Sequence, residues 1–332
     1  MLFEDNVAPE ACPRDVMMTF SNASSEVPVE RVILPALRDL ANEFKVRRAL
    51  PSAHRLMVGP FILLDHFGPM AFRAGAGLNV PPHPHIGTAT LTYLLQGQLL
   101  HRDSLGTTSA VRAGDVNWMT AGSGIVHLER SPTKGRGGCS SLFGQQIWVA
   151  LPRALEEQTP SFSHHDECDL PSLESEGASL TVLAGAAFGQ RSPVPVHSDL
   201  MYVDVVLRPD ARLAVPIEHL ERAAFVLSGE VEAAGQIFAA GQLVVFSPGA
   251  SIVLQAKRGA HVMLLGGEPF PEPRHVYWNF VSSSRDRIKQ AADDWRNGRF
   301  PRITGETDFV ILPAEVPHDV CDQRTPEQKP TK

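Results

Sequence analysis

Two short pairs of polar residues carry the clearest chemical signal in this chain. The stretch "PPHPHIG" places His83 and His85 two positions apart, and "GIVHLER", further along, gives His127 and Glu129 the same spacing. Side chains two apart on a β-strand point to the same face, roughly 7 Å apart along it. If both pairs lie on neighbouring strands, they form a pocket with four ligands.

The chemistry of these four groups is that of a metal site. Three neutral imidazoles and one carboxylate suit a borderline divalent ion: iron, manganese, nickel, copper or zinc. On an octahedral ion they leave two positions open for substrate or oxygen, whereas on tetrahedral zinc they would make a closed, structural site. The residues alone leave both alternatives open.

An internal repeat selects the same four residues. Both halves of the chain read as apolar strand, Gly turn, two strands, then Ala-Gly-Asp or Ala-Gly-Gln before another apolar strand, which indicates two copies of one β-domain. An ungapped alignment on the Gly turns and the Ala-Gly pairs matches His83 with Val215, His85 with Ile217, His127 with Leu254 and Glu129 with Ala256. We therefore predict that the second domain holds no metal.

The elements that must position these residues are predicted to be strands. Short apolar or alternating runs separated by Gly, Pro, Asp and Asn are typical of an all-β barrel or sandwich. One amphipathic helix is predicted at 284–297, where Ser283 or Ser284 can cap it, an apolar stripe recurs at helical spacing, and Gly298 ends it.

The chain has 332 residues, which suits two domains. We predict an N-terminal segment at 1–30, a metal-binding domain at 31–155, a linker at 156–180, a second domain with the helix at 181–313, and a loose tail at 314–332.

The composition of the chain excludes several classes of binding partner. With a net charge of -7 and 20% charged residues, the chain has no basic patch for nucleic acid or anionic lipid, and its apolar runs are too short to cross a membrane. The N-terminus lacks the pattern of a signal peptide, so we expect a cytoplasmic protein that binds small molecules or proteins. The 4 cysteines are scattered, which favours neither a disulfide framework nor a thiolate site.

We interpret His101, in "LLHRDSLG", as a turn residue held by Asp103 and Ser104.

In "HPHIGTATLTYLLQGQLLHRDSLG", "AGDVNWMTAGSGIVHLER" and "WNFVSSSRDRIKQAADDWRNGRF", the chain resembles the pirin family of bicupins, from about Arg31 to about Phe300. The resemblance implies two tandem cupin domains, each a jelly-roll barrel. It also implies one iron(II) in the first cupin, bound by His83, His85, His127 and Glu129. The chain departs from some pirins in having Ile86 and Ala89 where they have Arg and Glu.

Two functions follow from the resemblance. One is a dioxygenase that opens a flavonol such as quercetin with molecular oxygen, in which Glu129 takes the proton of the substrate hydroxyl. The other is a regulatory binding protein that uses the iron as a redox or metal sensor and presents a surface to a protein partner. The sequence leaves both hypotheses open.

Overall fold

The structure is a computed structural model that describes residues 27–41, 44–72, 77–132 and 140–313. The predicted tail at 314–332 and most of the predicted N-terminal segment lie outside these ranges.

The described chain contains 24 strands and one α-helix, with short 3-10 turns at Arg153–Leu155 and Glu167–Asp169. The elements are β1 (Val29–Ile33), β2 (Ala36–Ala41), β3 (Phe44–Leu50), β4 (Phe61–Phe72), β5 (Asn79–His85), β6 (Thr88–Gln96), β7 (Gln98–Asp103), β8 (Thr108–Arg112), β9 (Val116–Thr120), β10 (Ile125–Arg130), β11 (Ser140–Ala150), β12 (Ser161–His165), β13 (Ser172–Ser175), β14 (Ala178–Ala187), β15 (Gln190–Arg191), β16 (Leu200–Leu207), β17 (Ala211–Ala214), β18 (Glu221–Ala233), β19 (Gln236–Ala239), β20 (Leu243–Phe246), β21 (Val253–Ala256), β22 (Ala260–Gly267), β23 (His275–Tyr277), β24 (Phe280–Ser282) and α1 (Arg285–Arg296).

The first barrel is built from two sheets. A seven-stranded sheet has the order β12-β9-β6-β11-β4-β3-β2, and a four-stranded sheet has the order β5-β10-β7-β8. The four-stranded sheet brings β5 and β10, which carry the two polar pairs, side by side as antiparallel neighbours. The neighbouring strands that the spacing argument requires are therefore present.

The second barrel is a larger sheet of 11 strands, and it recruits a strand from the beginning of the described chain. β1 pairs with β20 although it precedes the first barrel in sequence. The segment predicted as a linker, 156–180, also contributes strands, because β12 pairs with β9 of the first barrel and β13 with β14 of the second.

A shared apolar core joins the two barrels. Leu91 and Tyr93 of β6 pack in one buried cluster with Tyr202, Phe225 and other residues of the second barrel. The threonines of "TATLTYLL" alternate with these residues and face the interior of the first barrel, as the pleat of a strand requires. β6 is thus the wall between the core of the molecule and the polar pairs.

The pairing register corrects the repeat alignment by two residues. In the first barrel His83 lies opposite His127, and in the second Leu213 lies opposite Leu254. Val215, whose N–H bonds to the carbonyl of Ile252, therefore matches His85, not His83. Ile217, at 68% exposure, lies outside the barrel interior. The ungapped alignment was wrong here because the loop before β18 is longer than the corresponding loop before β6. Every equivalent position remains hydrophobic.

The predicted helix is confirmed and lies at Arg285–Arg296. The Ser284 hydroxyl accepts a hydrogen bond from the Arg287 N–H, and Ile288, Ala291 and Ala292 are buried. Gly298 has φ +65°, the left-handed conformation that commonly ends a helix. The all-β fold with two tandem barrels and a C-terminal helix is confirmed. Within the described ranges, no helix is long and apolar enough to span a membrane.

Candidate metal centre

Three buried imidazoles meet inside the first barrel. Ligand nitrogens of His83, His85 and His127 all lie within 4.8 Å of one another. The ring centroids are 4.3 Å apart for His83 and His127, 5.0 Å for His85 and His127, and 5.2 Å for His83 and His85. The strand pairing causes this convergence, because His83 faces His127 across the ladder and His85 follows on the same face of β5.

Each of these three rings keeps at least one nitrogen that is available to bind a metal. His83 Nδ1–H donates to the Pro81 carbonyl at 2.9 Å, so its Nε2 keeps a lone pair. Among the described residues, three ring nitrogens have no hydrogen-bond partner: both nitrogens of His85 and the Nε2 of His127. Buried polar atoms without partners are costly. A divalent ion bound between the three rings would satisfy them, so the residues fit a metal.

Burial keeps the three imidazoles in the form that binds metals. It lowers the pKa of His83 to about 4, and the Pro81 hydrogen bond opposes that shift only partly. Burial, reinforced by the neighbouring imidazoles, also places the pKa values of His85 and His127 well below the usual range. Only a neutral imidazole has the lone pair that a metal needs. The rings are ready to act as ligands at neutral pH.

Glu129 lies beside this group without belonging to it. It lines the same cavity, and its Oε1 is 3.1 Å from the Thr92 hydroxyl, which is also 3.0 Å from Gln146 Oε1 and can donate to one of the two at a time. Burial raises the pKa of Glu129, and the nearby His101 and the Thr92 hydrogen bond oppose the shift. Its role as a fourth ligand stays a prediction.

The interpretation of His101 as a turn residue was wrong in part. His101 is buried within β7, where its Nε2 lies 3.1 Å from Asp103 Oδ2, and its Nδ1 lies 3.4 Å from the Nδ1 of His127. The contact with Asp103 was expected, whereas the contact with a metal-ligand candidate was not. The spacing "HRD" was the available signal, since His101 and Asp103 share one strand face just as the other two pairs do.

A cavity of about 340 Å³ opens over the imidazoles. Four of its lining residues are aromatic: Phe44, Phe67, Trp148 and Trp278. Trp148 stands edge-on to His85, with ring centroids 4.9 Å apart and an interplanar angle of 90°. Phe, Trp and Tyr make up 7% of the whole chain, and these four lie together around one cavity.

Distant parts of the chain complete the cavity. Trp278 and Asn279 form the tip of the β23–β24 hairpin, and Val310 lies in the arm that follows the helix. Trp278 has φ +52°, a left-handed conformation that is rare for a bulky residue and costs roughly 1–3 kcal/mol. The Val310 N–H bonds to the carbonyl of Pro82, one residue before the first ligand candidate.

A second group of potential ligands extends from a buried aspartate to the surface. Asp115, His164 and Asp166 place ligand atoms within 4.8 Å of one another. Asp115, however, accepts hydrogen bonds from the N–H groups of Arg112 and Glu167, and His164 contacts Asn117 at 2.7 Å. These bonds explain the cluster as a connection between two loops, so we assign it no function.

Comparison with known proteins identifies the family. The model of the pirin family, "Pirin", matches residues 43–149, and that of the "Pirin C-terminal cupin domain" matches residues 202–301. A "Pirin-like protein" from Caulobacter vibrioides is 50% identical over 83% of this chain and 96% of its own length. This chain belongs to the pirin family. The two barrels are therefore tandem cupin domains, as the sequence predicted.

Solved structures agree with this assignment. A crystal structure of a quercetin 2,3-dioxygenase from Acinetobacter baumannii aligns with this pirin at a TM-score of 0.81 and 35% identity, covering 87% of this chain and 96% of that one. A second one from the same organism aligns at 0.77 and 26% identity, covering 85% and 99%.

The two residues that depart from some pirins lie in buried apolar clusters. Ile86 packs in a buried cluster with Phe280 and Ile288, and Ala89 lies in the core that the two barrels share. The structure therefore gives both residues apolar surroundings.

Proposed function

We propose that this pirin is an iron(II)-dependent dioxygenase that opens the ring of a flavonol such as quercetin with molecular oxygen. The observation that carries the proposal is the meeting of three neutral, buried imidazoles with a cavity lined by aromatic rings. The quercetin 2,3-dioxygenases of similar fold support it.

His83, His85 and His127 would hold the metal, and we propose Glu129 as the fourth ligand. A divalent ion held by these residues would supply Lewis acidity toward the oxygens of a chelating substrate. Manganese, nickel, copper and zinc would also accept these ligands, since affinity alone does not select among them.

The cavity walls would orient a planar substrate. At about 340 Å³ the cavity falls within the range that small-molecule sites occupy, and such sites combine apolar walls with a few polar groups. Trp148 and Trp278 supply aromatic wall, while Glu129 and Gln146 supply the polar groups near the imidazoles. A flat ring system with a hydroxyl and a carbonyl fits both kinds of surface.

Glu129 is the group that we propose as the general base. Its carboxylate lines the cavity, and as a metal ligand it could take up the proton only by loosening its bond to the metal. The Thr92 hydroxyl would hold the carboxylate in place while it receives the proton of the substrate hydroxyl.

The test is oxygen uptake by iron-loaded protein that has been purified without oxygen and then mixed with a panel of flavonols. We expect uptake with a ring-cleaved product in the wild type and in His219→Phe, a control in which a buried histidine of the second barrel is replaced. Glu129→Gln should lower turnover more than metal content. Undiminished turnover in Glu129→Gln would remove the proposed base.

Metal content is measured first. His83→Ala should lose most of its bound metal by elemental analysis, and equal metal in the wild type and this variant would refute the site. If metal binds but no flavonol supports oxygen uptake, the proposed dioxygenase activity is refuted. Binding of a protein partner that depends on the oxidation state of the iron would then support the regulatory alternative.

A further inference from the structure

The structure shows a continuous hydrogen-bonded chain behind one of the metal-ligand candidates. The N–H groups of Leu105 and Thr107 donate to Asp103 Oδ1 at 2.9 and 3.0 Å. The other carboxylate oxygen, Oδ2, lies 3.1 Å from His101 Nε2, and His101 Nδ1 lies 3.4 Å from His127 Nδ1. All members of the chain lie on the interior face of β7, on β10, or in the turn after β7.

The direction of each hydrogen bond follows from its acceptor. A carboxylate can only accept, so the proton of His101 is on Nε2. The Nδ1 of a neutral His101 is then an acceptor, and His127 must donate to it through Nδ1–H. The Nε2 of His127 is thereby left with a lone pair, and this is the nitrogen that has no partner among the described residues.

The pair is held rigidly. His101 and Asp103 are 4% and 2% exposed. The His101 ring stacks on Phe162 of β12 with a centroid distance of 4.5 Å and an interplanar angle of 21°. β12 is an edge strand of the first barrel that comes from the segment predicted as a linker, so that segment contributes to the orientation of the His101 ring.

We propose that Asp103 and His101 are positioning residues that hold His127 with its Nε2 lone pair directed at the metal. Partners of this kind fix the tautomer and the orientation of a histidine ligand and raise its basicity, and their loss typically costs 10-fold to 100-fold in metal affinity. The inference rests on metal binding at the three imidazoles, which is one part of the proposed function, and not on the substrate.

Two single variants separate this role from simple packing. His101→Phe keeps a ring on Phe162 but removes the acceptor of His127, so zinc(II) affinity should fall by about 10-fold to 100-fold. Asp103→Asn should lower the affinity at least as much, although residue 103 is further along the chain of hydrogen bonds. In Asp103→Asn the amide oxygen must accept the hydrogen bonds of the Leu105 and Thr107 N–H groups, so the amide NH₂ group donates to His101 Nε2. The proton of His101 is then on Nδ1, where it donates to His127 Nδ1. His127 carries its own proton on Nε2, the nitrogen that should bind the metal.

The double variant gives the sharpest outcome. The double variant combines His101→Phe with Asp103→Asn. It has no imidazole at position 101 whose tautomer the amide at position 103 could reverse, so it should bind zinc(II) with the same affinity as His101→Phe. If the losses of the two single variants add instead, the pair has only a structural role and the proposal is overturned. His219→Phe is the control and should bind zinc(II) like the wild type, and circular dichroism checks the folding of every variant.

A measurement on the unmodified protein covers the case in which variants misfold. Long-range ¹⁵N–¹H NMR of the zinc(II)-loaded, full-length protein reports which nitrogen of each histidine carries a proton. We expect a proton on Nδ1 and zinc on Nε2 for His127, and a proton on Nε2 for His101. Zinc on Nδ1 of His127, or a proton on Nδ1 of His101, would overturn the proposal. If the wild type binds no zinc(II) at all, the metal site itself fails, and with it the proposed function.

Discussion

Burial lowers the pKa of a histidine that lies apart from the ligand candidates. His66 of β4 is 5% exposed and packs against Phe143 and Phe225, with ring centroids 5.2 and 5.3 Å away. Burial, helped by the positive charge of Arg47, lowers the pKa of His66 to about 4, and a hydrogen bond to Gly144 opposes the shift. Because His66 is not a ligand candidate, it isolates the thermodynamic consequence of burial.

The free energy of unfolding should therefore fall in acid. Above about pH 6.5 His66 is neutral in both states and has no effect on the pH dependence. Between about pH 6.5 and about pH 4 the unfolded chain takes up a proton that the folded protein refuses, so stability decreases as the pH falls. Between about pH 7 and about pH 4.5, the free energy of unfolding of His66→Leu, measured in urea, should fall by roughly 2–3 kcal/mol less than that of the wild type. The same pH dependence in both proteins would show that His66 has the same pKa in the folded protein as in the unfolded chain, which would contradict the prediction.

At the scale of elements, the end of β5, which carries two ligand candidates, is held against the β23–β24 hairpin. Gly87 follows β5 with φ +64°, and a Cβ there would lie 1.9 Å from the carbonyl oxygen of Val281. The Val281 N–H in turn bonds to the carbonyl of Ile86. Only glycine lets the backbone of the hairpin approach the end of β5 this closely.

Gly87→Ala should separate these two elements. The matched control is Gly249→Ala, because Gly249 has φ +73° but no atom within 4 Å of its would-be Cβ. The control should cost about 1–2 kcal/mol for the left-handed backbone alone. Gly87→Ala should cost at least about twice that in urea unfolding, because the clash adds to the backbone term, and its metal content should also fall. Equal costs would mean that the hairpin moves away freely.

At the scale of the whole molecule, the two barrels share a core and a buried polar network. Tyr93 of the first barrel donates to Asp204 of the second at 2.5 Å, and His261 also contacts that carboxylate. Tyr202 of the second barrel donates to Gln145 of the first. Separating the barrels would expose the shared core and leave these polar groups without partners.

We therefore expect the barrels to unfold together. None of the 4 tryptophans lies in the 11-stranded sheet of the second barrel, although Trp118 packs in the shared core, so their fluorescence reports on the first barrel, the shared core and the C-terminal hairpin and helix. Circular dichroism follows the strands of both. The fluorescence and circular dichroism transitions in urea should coincide, as two-state unfolding requires. Separate midpoints would show that the barrels are independent units.

Local rules were sufficient for part of this picture. Alternation on a strand was enough to predict that His83 and His85 share a face, and capping with helical periodicity was enough to predict α1 within a residue at each end. The same alternation would have placed His101 and Asp103 on one face, had "HRD" been interpreted as part of a strand and not of a turn. The two pairs of candidate ligands and the pair His101 and Asp103 are therefore features of local spacing.

The remaining features depended on which strands become neighbours. The pairing of β5, β10 and β7 decided that His101 contacts His127, and the longer loop before β18 shifted the repeat by two residues. The cavity gained Trp278 and Val310 from the far end of the chain. Spacing in the sequence determined which side chains could act together, because the period of a strand is local. Contacts between distant segments were decided by burial and strand pairing, which act on the folded chain as a whole and leave no local pattern.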